Sequence, residues 1–259
     1  MPQTEVIAQE AIADGVYRMV FRAPVDLKKN GYAPGQFWHI RVTDSFDFTL
    51  RRPLSLCQAD LDNNTVTVVY RAQGEGTRRI AAKRPGDALD VLGPLGRGFS
   101  VHDGDGRVLL VGGGIGVPPL LELAHQLAAH GIRALAILGF QTASQAVLLD
   151  DFAPYAEVIV VTDDGTLGER GRVTDFLQPE RLQGVVRYYA CGPTPMLKAV
   201  KDVLAVRGLP GYLSLEERMG CGIGLCAGCV HKIARDGVVR PLKTCREGPV
   251  FPAAEVVFA

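Results

Sequence analysis

The sequence carries no surplus charge of either sign: 28 lysines and arginines stand against 28 aspartates and glutamates over 259 residues. A nucleic-acid footprint or a polybasic membrane patch needs clustered positive charge, and the balance speaks against both. Long hydrophobic runs are also missing. The most apolar stretch, residues 108–124, is broken by Gly112, Gly113, Gly114, Gly116, Pro118 and Pro119, whereas a bilayer-spanning helix needs about 20 mostly apolar residues. The amino-terminal MPQTEVIAQEAIADG has neither the basic start nor the apolar core of a secretory signal, so a cytoplasmic location is expected. No internal repeat or low-complexity segment is present. What remains, 47% apolar and 22% charged residues, is the composition of an ordinary globular protein long enough for two or three small domains.

The six cysteines are not distributed as a disulfide framework. Four fall within residues 221–245, while Cys57 and Cys191 lie far upstream. In a chain without an export signal, that grouping points to metal ligation in a reducing compartment.

Three segments follow one another. The first, residues 1–100, is expected to be all-β. Phe37-Trp38-His39-Ile40-Arg41-Val42 and Thr65-Val66-Thr67-Val68-Val69-Tyr70-Arg71 are β-branched and aromatic runs, bounded by turn residues such as Pro34-Gly35 and Asp62-Asn63-Asn64. Short strands at this spacing predict a small antiparallel barrel. From Arg107 the period changes. Val108-Leu109-Leu110-Val111 is a continuous apolar strand that runs into Gly112-Gly113-Gly114-Ile115-Gly116. A helix follows, with Pro118 and Pro119 in its first turn and Gly131 beyond its end. Further strands are expected at 134–138, 157–162 and 185–190, and a helix over 195–207 has Met196, Leu197, Val200, Val203 and Leu204 on one face. This alternation predicts a doubly wound parallel α/β domain over 101–209. Gly208-Leu209-Pro210-Gly211 then opens a small cysteine-bearing domain, 210–259.

The cysteine spacing, C-x4-C-x2-C-x15-C over Cys221, Cys226, Cys229 and Cys245, is the pattern of plant-type [2Fe–2S] sites. A tight loop supplies three thiolates and a separate element the fourth. Gly220, Gly222, Gly224 and Gly228 let the loop bend so that backbone N–H groups point at the sulfurs. Structural zinc usually takes two C-x2-C pairs, and one is present here. A Rieske centre needs two histidine ligands, and no histidine follows Cys245. His231 is expected to be a strand residue.

The glycine turn, with Gly112, Gly113, Gly114 and Gly116, meets a helix N-terminus, where free N–H groups and the helix dipole favour a pyrophosphate. It departs from G-x-G-x-x-G because Val117 occupies the final glycine position. No acidic ribose clamp follows Leu138-Gly139-Phe140-Gln141, and no arginine before Arg170, which leans to NAD over NADP. Cys191-Gly192-Pro193 ends another apolar strand and is placed to face a nicotinamide; Cys57 is expected in the core. In the barrel, Arg51-Arg52-Pro53-Leu54-Ser55 sets two guanidiniums beside a rigid turn and a hydroxyl, a set able to hold an anionic cofactor. Gly74-Glu75-Gly76-Thr77 can offer backbone N–H groups to a second phosphate.

Taken together, Arg52-Pro53-Leu54-Ser55, Val69-Tyr70-Arg71, Gly76-Thr77, the glycine turn and Cys191-Gly192-Pro193 resemble the ferredoxin–NADP reductase superfamily over residues 1–207. Many members have Tyr two residues after the Arg; Leu54 stands there, implying an aliphatic contact with the flavin. With the cysteine module added, and with Leu92-Gly93-Pro94-Leu95-Gly96 matched, the whole chain resembles the electron transfer subunits of bacterial NAD-dependent dihydroorotate dehydrogenase. The resemblance implies that Arg52, Pro53, Leu54, Ser55, Val69, Tyr70, Arg71, Gly76 and Thr77 contact FAD and that the four carboxy-terminal cysteines hold the cluster. It also implies a partner, an FMN-containing catalytic subunit, in a heterotetramer of two plus two. Electrons would pass from dihydroorotate to FMN, to the cluster, to FAD and to NAD+, in pyrimidine synthesis. Nicotinamide takes a hydride, a [2Fe–2S] cluster one electron, and a flavin handles both. Orientation is then what the protein supplies, and no catalytic acid or base is expected. Two other readings stand beside this one: the same cofactors serving a hydrogenase, sulfide dehydrogenase or ferredoxin reductase complex, and a metal-stabilised interaction module without a nucleotide.

Overall fold

The computed structural model describes residues 3–258 apart from Asp44, Phe46 and His102, with the backbone alone of Gln3. The ends of the expected segments at residues 1, 2 and 259 lie outside the described residues. Six antiparallel strands, β1 (Gln3–Ala13), β2 (Val16–Arg22), β3 (Phe37–Ile40), β4 (Arg52–Asp60), β5 (Thr65–Arg71) and β6 (Ala88–Leu95), close into a barrel in the order β1-β2-β5-β4-β3-β6. Alternation drives the closure. Val66, Val68 and Tyr70 of β5 point into a core shared with Met19, Phe21, Trp38, Ile40, Leu56 and Val91. Phe21 meets Trp38 edge-on, ring centroids 5.6 Å apart at 84°, a contact worth about 1 kcal/mol beyond its buried area. The helix Glu75–Ala81 adds Ile80 to the same core.

Beyond the barrel, β7 (Arg107–Gly113), β8 (Ala134–Phe140), β9 (Ala156–Thr162), β10 (Glu169–Arg170), β11 (Val185–Cys191) and β12 (Gly211–Ser214) pair in parallel. Residues of β7 alternate between two cores: Val108 and Leu110 pack under the helix Pro118–Ala129, and Leu109 and Val111 under the helix Thr194–Ala205. With both faces covered, the strand reads as an unbroken apolar run. The chain builds outward from β7 on one side and then returns to lay β11 on the other, so the order reverses between them. Ligands of open α/β sheets bind at such a point.

The cysteine segment leaves the sheet after β12, forms the hairpin β13 (Val230–Arg235) and β14 (Val238–Lys243), and returns as β15 (Val250–Pro252), antiparallel to β12. The full order is β10-β9-β8-β7-β11-β12-β15. His231 lies on β13, as expected. Most expected elements are present, with shifted ends. The helix expected over 195–207 runs Thr194–Ala205, because its last turn tightens as the Arg207 and Gly208 amides bond the carbonyls of Leu204 and Ala205. Arg52-Pro53-Leu54-Ser55 does not flank a turn: it begins β4, with Pro53 opposite His39.

The barrel packs on the helix Pro118–Ala129, with Val16, Cys57 and Val69 entering that helix's core. Within this interface Glu122 is fully buried. Its carboxylate accepts from the Tyr32 hydroxyl at 2.8 Å, the Ala59 N–H at 3.1 Å and Gln126 Nε2 at 2.9 Å. The first two donors belong to the barrel. Arg18 of β2 reaches Asp151 at 2.8 Å across the same junction.

Glu122→Ala leaves the Tyr32 hydroxyl and the Ala59 amide unpaired and is expected to lower stability by about 3 kcal/mol in a denaturant titration, with Glu122→Gln losing less. Burial, reinforced by the Glu122 charge, raises the Tyr32 pKa above its ordinary 10.0. Its contribution is therefore complete below pH 10 and is lost as pH rises beyond it, so the wild type should lose stability there faster than Tyr32→Phe.

Candidate functional site

A cavity of about 820 Å3 opens where the barrel, the carboxyl ends of the parallel strands and the cysteine segment meet. Arg52, Pro53, Leu54, Ser55, Val69, Tyr70, Arg71 and Thr77 line it from the barrel. Gly113, Gly114, Gly116, Cys191, Gly192 and Pro193 line it from the α/β sheet, and Glu216, Met219 and Pro249 from the carboxy-terminal segment. Two of the expected residues stand behind this lining. Gly76 backs the Arg52 side chain, where a Cβ would lie 2.7 Å from Nη2, and Gly112 is buried beneath Val117.

The two arginines expected to act together part company. Arg51 is spent inside the barrel: it holds Asp90 at 2.8 Å and donates to the Asp90 carbonyl at 3.0 Å. Arg52 alone reaches the cavity, braced by the Leu50 carbonyl at 2.7 Å. Tyr70 is nearly buried; its hydroxyl accepts from Gln9 Nε2 at 2.7 Å, and burial pushes its pKa up to about 12. The turns after β7 and β11 touch backbone to backbone. A Cβ on Gly116 would stand 2.4 Å from the Cys191 carbonyl oxygen, so only glycine permits this approach. Burial pushes the Cys191 thiol up to about 12. It remains a neutral lining group at physiological pH, unsuited to act as a nucleophile.

Several lining residues escaped sequence reasoning. Gln141 and Asp163 directly follow β8 and β9, and Arg172 follows β10; all three reach the cavity. Arg172 shares the cavity with Gln141 only through the order of strands in the sheet, so it could not be read as a local partner for a ribose or its phosphate. The general signal, a polar residue just past the carboxyl end of a parallel strand, was available for Gln141 and Asp163.

The cysteine segment packs against the barrel through Phe37, Leu95, Cys229, Cys245 and Met219. Its thiols come as two pairs. The Cys226 amide donates to Cys221 Sγ at 3.3 Å, while the Cys245 thiol sits against that of Cys229. The Cys226 amide, aided by those of Ile223 and Leu225 and opposed by burial, holds Cys221 down at about 6. Cys245 is driven up to about 12 by burial first and by Cys229 second. Backbone amides thus point at sulfur, as the interleaved glycines predict. Among the described residues, no three His, Cys, Asp or Glu side chains close on one metal-ion position. Two adjacent pairs suit a binuclear cluster with two thiolates per iron better than a single tetrahedral zinc. His231 is engaged elsewhere, Nδ1 3.0 Å from Glu217 Oε1.

Alkylation should follow these differences. In iron-free protein Cys221 is expected to react with iodoacetamide with a midpoint near pH 6, where its thiolate forms. Cys57, fully buried and displaced far upward, and Cys191 should stay unmodified at pH 8 in the same peptide mass spectra.

Comparison with known proteins agrees with this geometry. Residues 3–99 match the oxidoreductase FAD-binding domain, and residues 216–257 match the iron–sulfur cluster binding domain of dihydroorotate dehydrogenase B. The dihydroorotate dehydrogenase B (NAD(+)) electron transfer subunit of Geobacillus thermodenitrificans is 47% identical over 254 residues, covering 97% of this chain and 96% of that one. That of Bacillus mycoides is 44% identical over 255 residues, with the same coverage. Among solved structures, an NADH-dependent reduced ferredoxin-NADP oxidoreductase superposes with a TM-score of 0.86 at 29% identity, over 98% of this chain and 89% of that one. A ferredoxin reductase of carbazole 1,9a-dioxygenase shares the fold, with a TM-score of 0.69 at 21% identity over 80% of this chain and 65% of that one. With a barrel and a cysteine segment that match the family's cofactor domains, and with relatives alike over nearly the whole length, this chain belongs to the family of electron transfer subunits of dihydroorotate dehydrogenase B (NAD(+)).

Proposed function

We propose that this chain carries electrons from an FMN-containing, dihydroorotate-oxidising catalytic subunit to NAD+. The observation that carries this reading is a cavity lined jointly by the barrel motifs, the two turns of the α/β sheet and the cysteine segment. Bound there, FAD supplies exchange between single electrons and a hydride. Work divides by segment: 1–100 for FAD, 101–209 for NAD+, and 210–259 for the cluster on Cys221, Cys226, Cys229 and Cys245.

Each residue's part follows from its place. Arg52 offers a guanidinium to the FAD pyrophosphate, and Gly76 leaves room for it. Leu54, Val69 and Tyr70 would form an apolar wall for the flavin, with Pro53, Ser55, Arg71 and Thr77 lining the same cavity. Gly113, Gly114 and Gly116 bring backbone N–H groups to the nucleotide phosphates, with Gly112 packing beneath them. Cys191, Gly192 and Pro193, lining the cavity after β11, would hold the nicotinamide. The protein's contribution is orientation and exclusion of water, not proton transfer.

The exposed side chains of Ile223 and Leu225, 48% and 80% accessible, flank the cysteine pairs. This apolar rim beside the ligands supports docking of the catalytic subunit there, since electrons must enter next to the cluster. A heterotetramer of two catalytic and two electron transfer chains, working in the cytoplasm on pyrimidine synthesis, completes the proposal. The similarity to an NADH-dependent reduced ferredoxin-NADP oxidoreductase favours one second reading, the same electron path serving another redox partner.

The pair formed with a co-purifying FMN protein should produce NADH when given dihydroorotate. If NADH bleaches the FAD of that pair while dihydroorotate never does, the second reading holds instead. Cys226→Ser should remove the cluster's electron paramagnetic resonance signal and leave NADH-to-FAD reduction in place. Gly116→Ala, forced apart from Cys191, should raise the KM for NADH about tenfold with FAD retained, a cost of about 1.4 kcal/mol.

A further inference from the structure

His39 has no exposed surface, and neither ring nitrogen completes a hydrogen bond, although the backbones of Arg51 and Cys221 face the ring. A buried polar group left unpaired costs about 1–3 kcal/mol, so such a group calls for an explanation. Its surroundings supply one. His39 lies on β3, opposite Pro53 of the flavin-side motif. Two residues earlier on that strand, Phe37 lines the cavity, packs with Cys229 and Cys245, and meets the His39 ring edge-on with centroids 6.2 Å apart. The ring itself is seated on the ligand loop: a Cβ on Gly222 would lie 2.3 Å from His39 Nδ1. Gly222 directly follows Cys221 and holds φ at +71°, so both its conformation and this contact require glycine. No side chain fits between the imidazole and the loop.

A second orphan points the same way. Thr244, the residue before Cys245, is fully buried, and its hydroxyl also lacks a partner. Two buried polar side chains next to the cysteine segment thus lack a completed hydrogen bond. A purely structural residue at position 39 would be served as well by phenylalanine. A fifth ligand is not needed either, because four thiolates already supply two iron atoms.

We infer that His39 is a positioning residue for the iron–sulfur centre, its ring N–H hydrogen-bonding a sulfur held by the Cys221 loop. The inference rests on the reading that the four cysteines hold a [2Fe–2S] cluster. One bond then does two things. It fastens the ligand loop to the strand paired with the flavin-side motif, which fixes the distance an electron crosses. It also stabilises the reduced cluster more than the oxidised one, because the added electron raises the charge on sulfur. Removing the donor should lower the reduction potential.

The experiment compares wild type, His39→Phe and His39→Gln in complex with the catalytic subunit. Iron content and the signal of the reduced cluster come first; zinc in place of iron in the wild type would overturn the cluster reading and the inference with it. With the cluster present, a redox titration followed by electron paramagnetic resonance should show His39→Phe harder to reduce by about tenfold, about 59 mV for one electron. His39→Gln, which keeps an N–H donor, should recover part of that difference. A fully loaded His39→Phe with the wild-type potential overturns the proposal. If His39→Phe fails to take up iron, the wild type decides: with 15N-histidine incorporated, its reduced cluster should show a nitrogen coupling that His39→Gln lacks. Absence of that coupling in the wild type overturns the proposal as well.

Discussion

A carboxylate withdrawn from water is tolerated only where donors converge on it, and Glu122 gathers its donors from both sides of a domain junction. Tyr32 and the Ala59 amide come from the barrel, Gln126 from the helix that carries Glu122. Hydrogen bonds to a buried charge are strong and short-ranged, so the junction has one good geometry. The cavity lies along the same junction, with Arg52 and Tyr70 on one wall and Gly114 and Gly192 on the other. A flavin and a nicotinamide must lie within van der Waals reach for a hydride to pass. Whatever fixes the two walls fixes that approach, and Glu122 lies fully buried where the helix under one wall meets the barrel.

The carboxy-terminal segment meets a different demand. Its cysteines must be close to the flavin side and still open to a partner. Phe37 and His39 of the barrel receive the loop on its inner side, while Ile223 and Leu225 face outward. The thiol environments differ accordingly: Cys221 is surrounded by backbone amides near the surface, and Cys245 is enclosed in apolar packing. On the proposed ligand assignment, two unlike pairs would give the irons of a bound cluster unlike surroundings, one more polar and one drier.

Much of this was legible in the sequence, for local reasons. Thr65–Arg71 is a strand from end to end because β-branched residues alternate across one barrel wall. The cysteine spacing and the Pro-in, Gly-out helix at Pro118–Ala129 are likewise written in short windows. What was not legible depends on contacts between distant segments. Nothing near Arg51 distinguishes it from Arg52; Asp90, far along the chain, does so by pairing with the first. Glu122 reads as an ordinary residue on an amphipathic helix until the barrel covers it. Arg172 and Asp163 reach the cavity through sheet order, and His39 gains its meaning only when Gly222 arrives against its ring.

The cysteine segment begins and ends in neighbouring strands of one sheet, since β12 and β15 pair with each other on either side of it. Both ends of the loop are thereby held by main-chain hydrogen bonds of the α/β sheet, and its middle rests on the barrel. Ser214 at the end of β12 and Pro249 just before β15 also line the cavity. A shift of either strand would therefore move the cysteine loop and this edge of the cavity together.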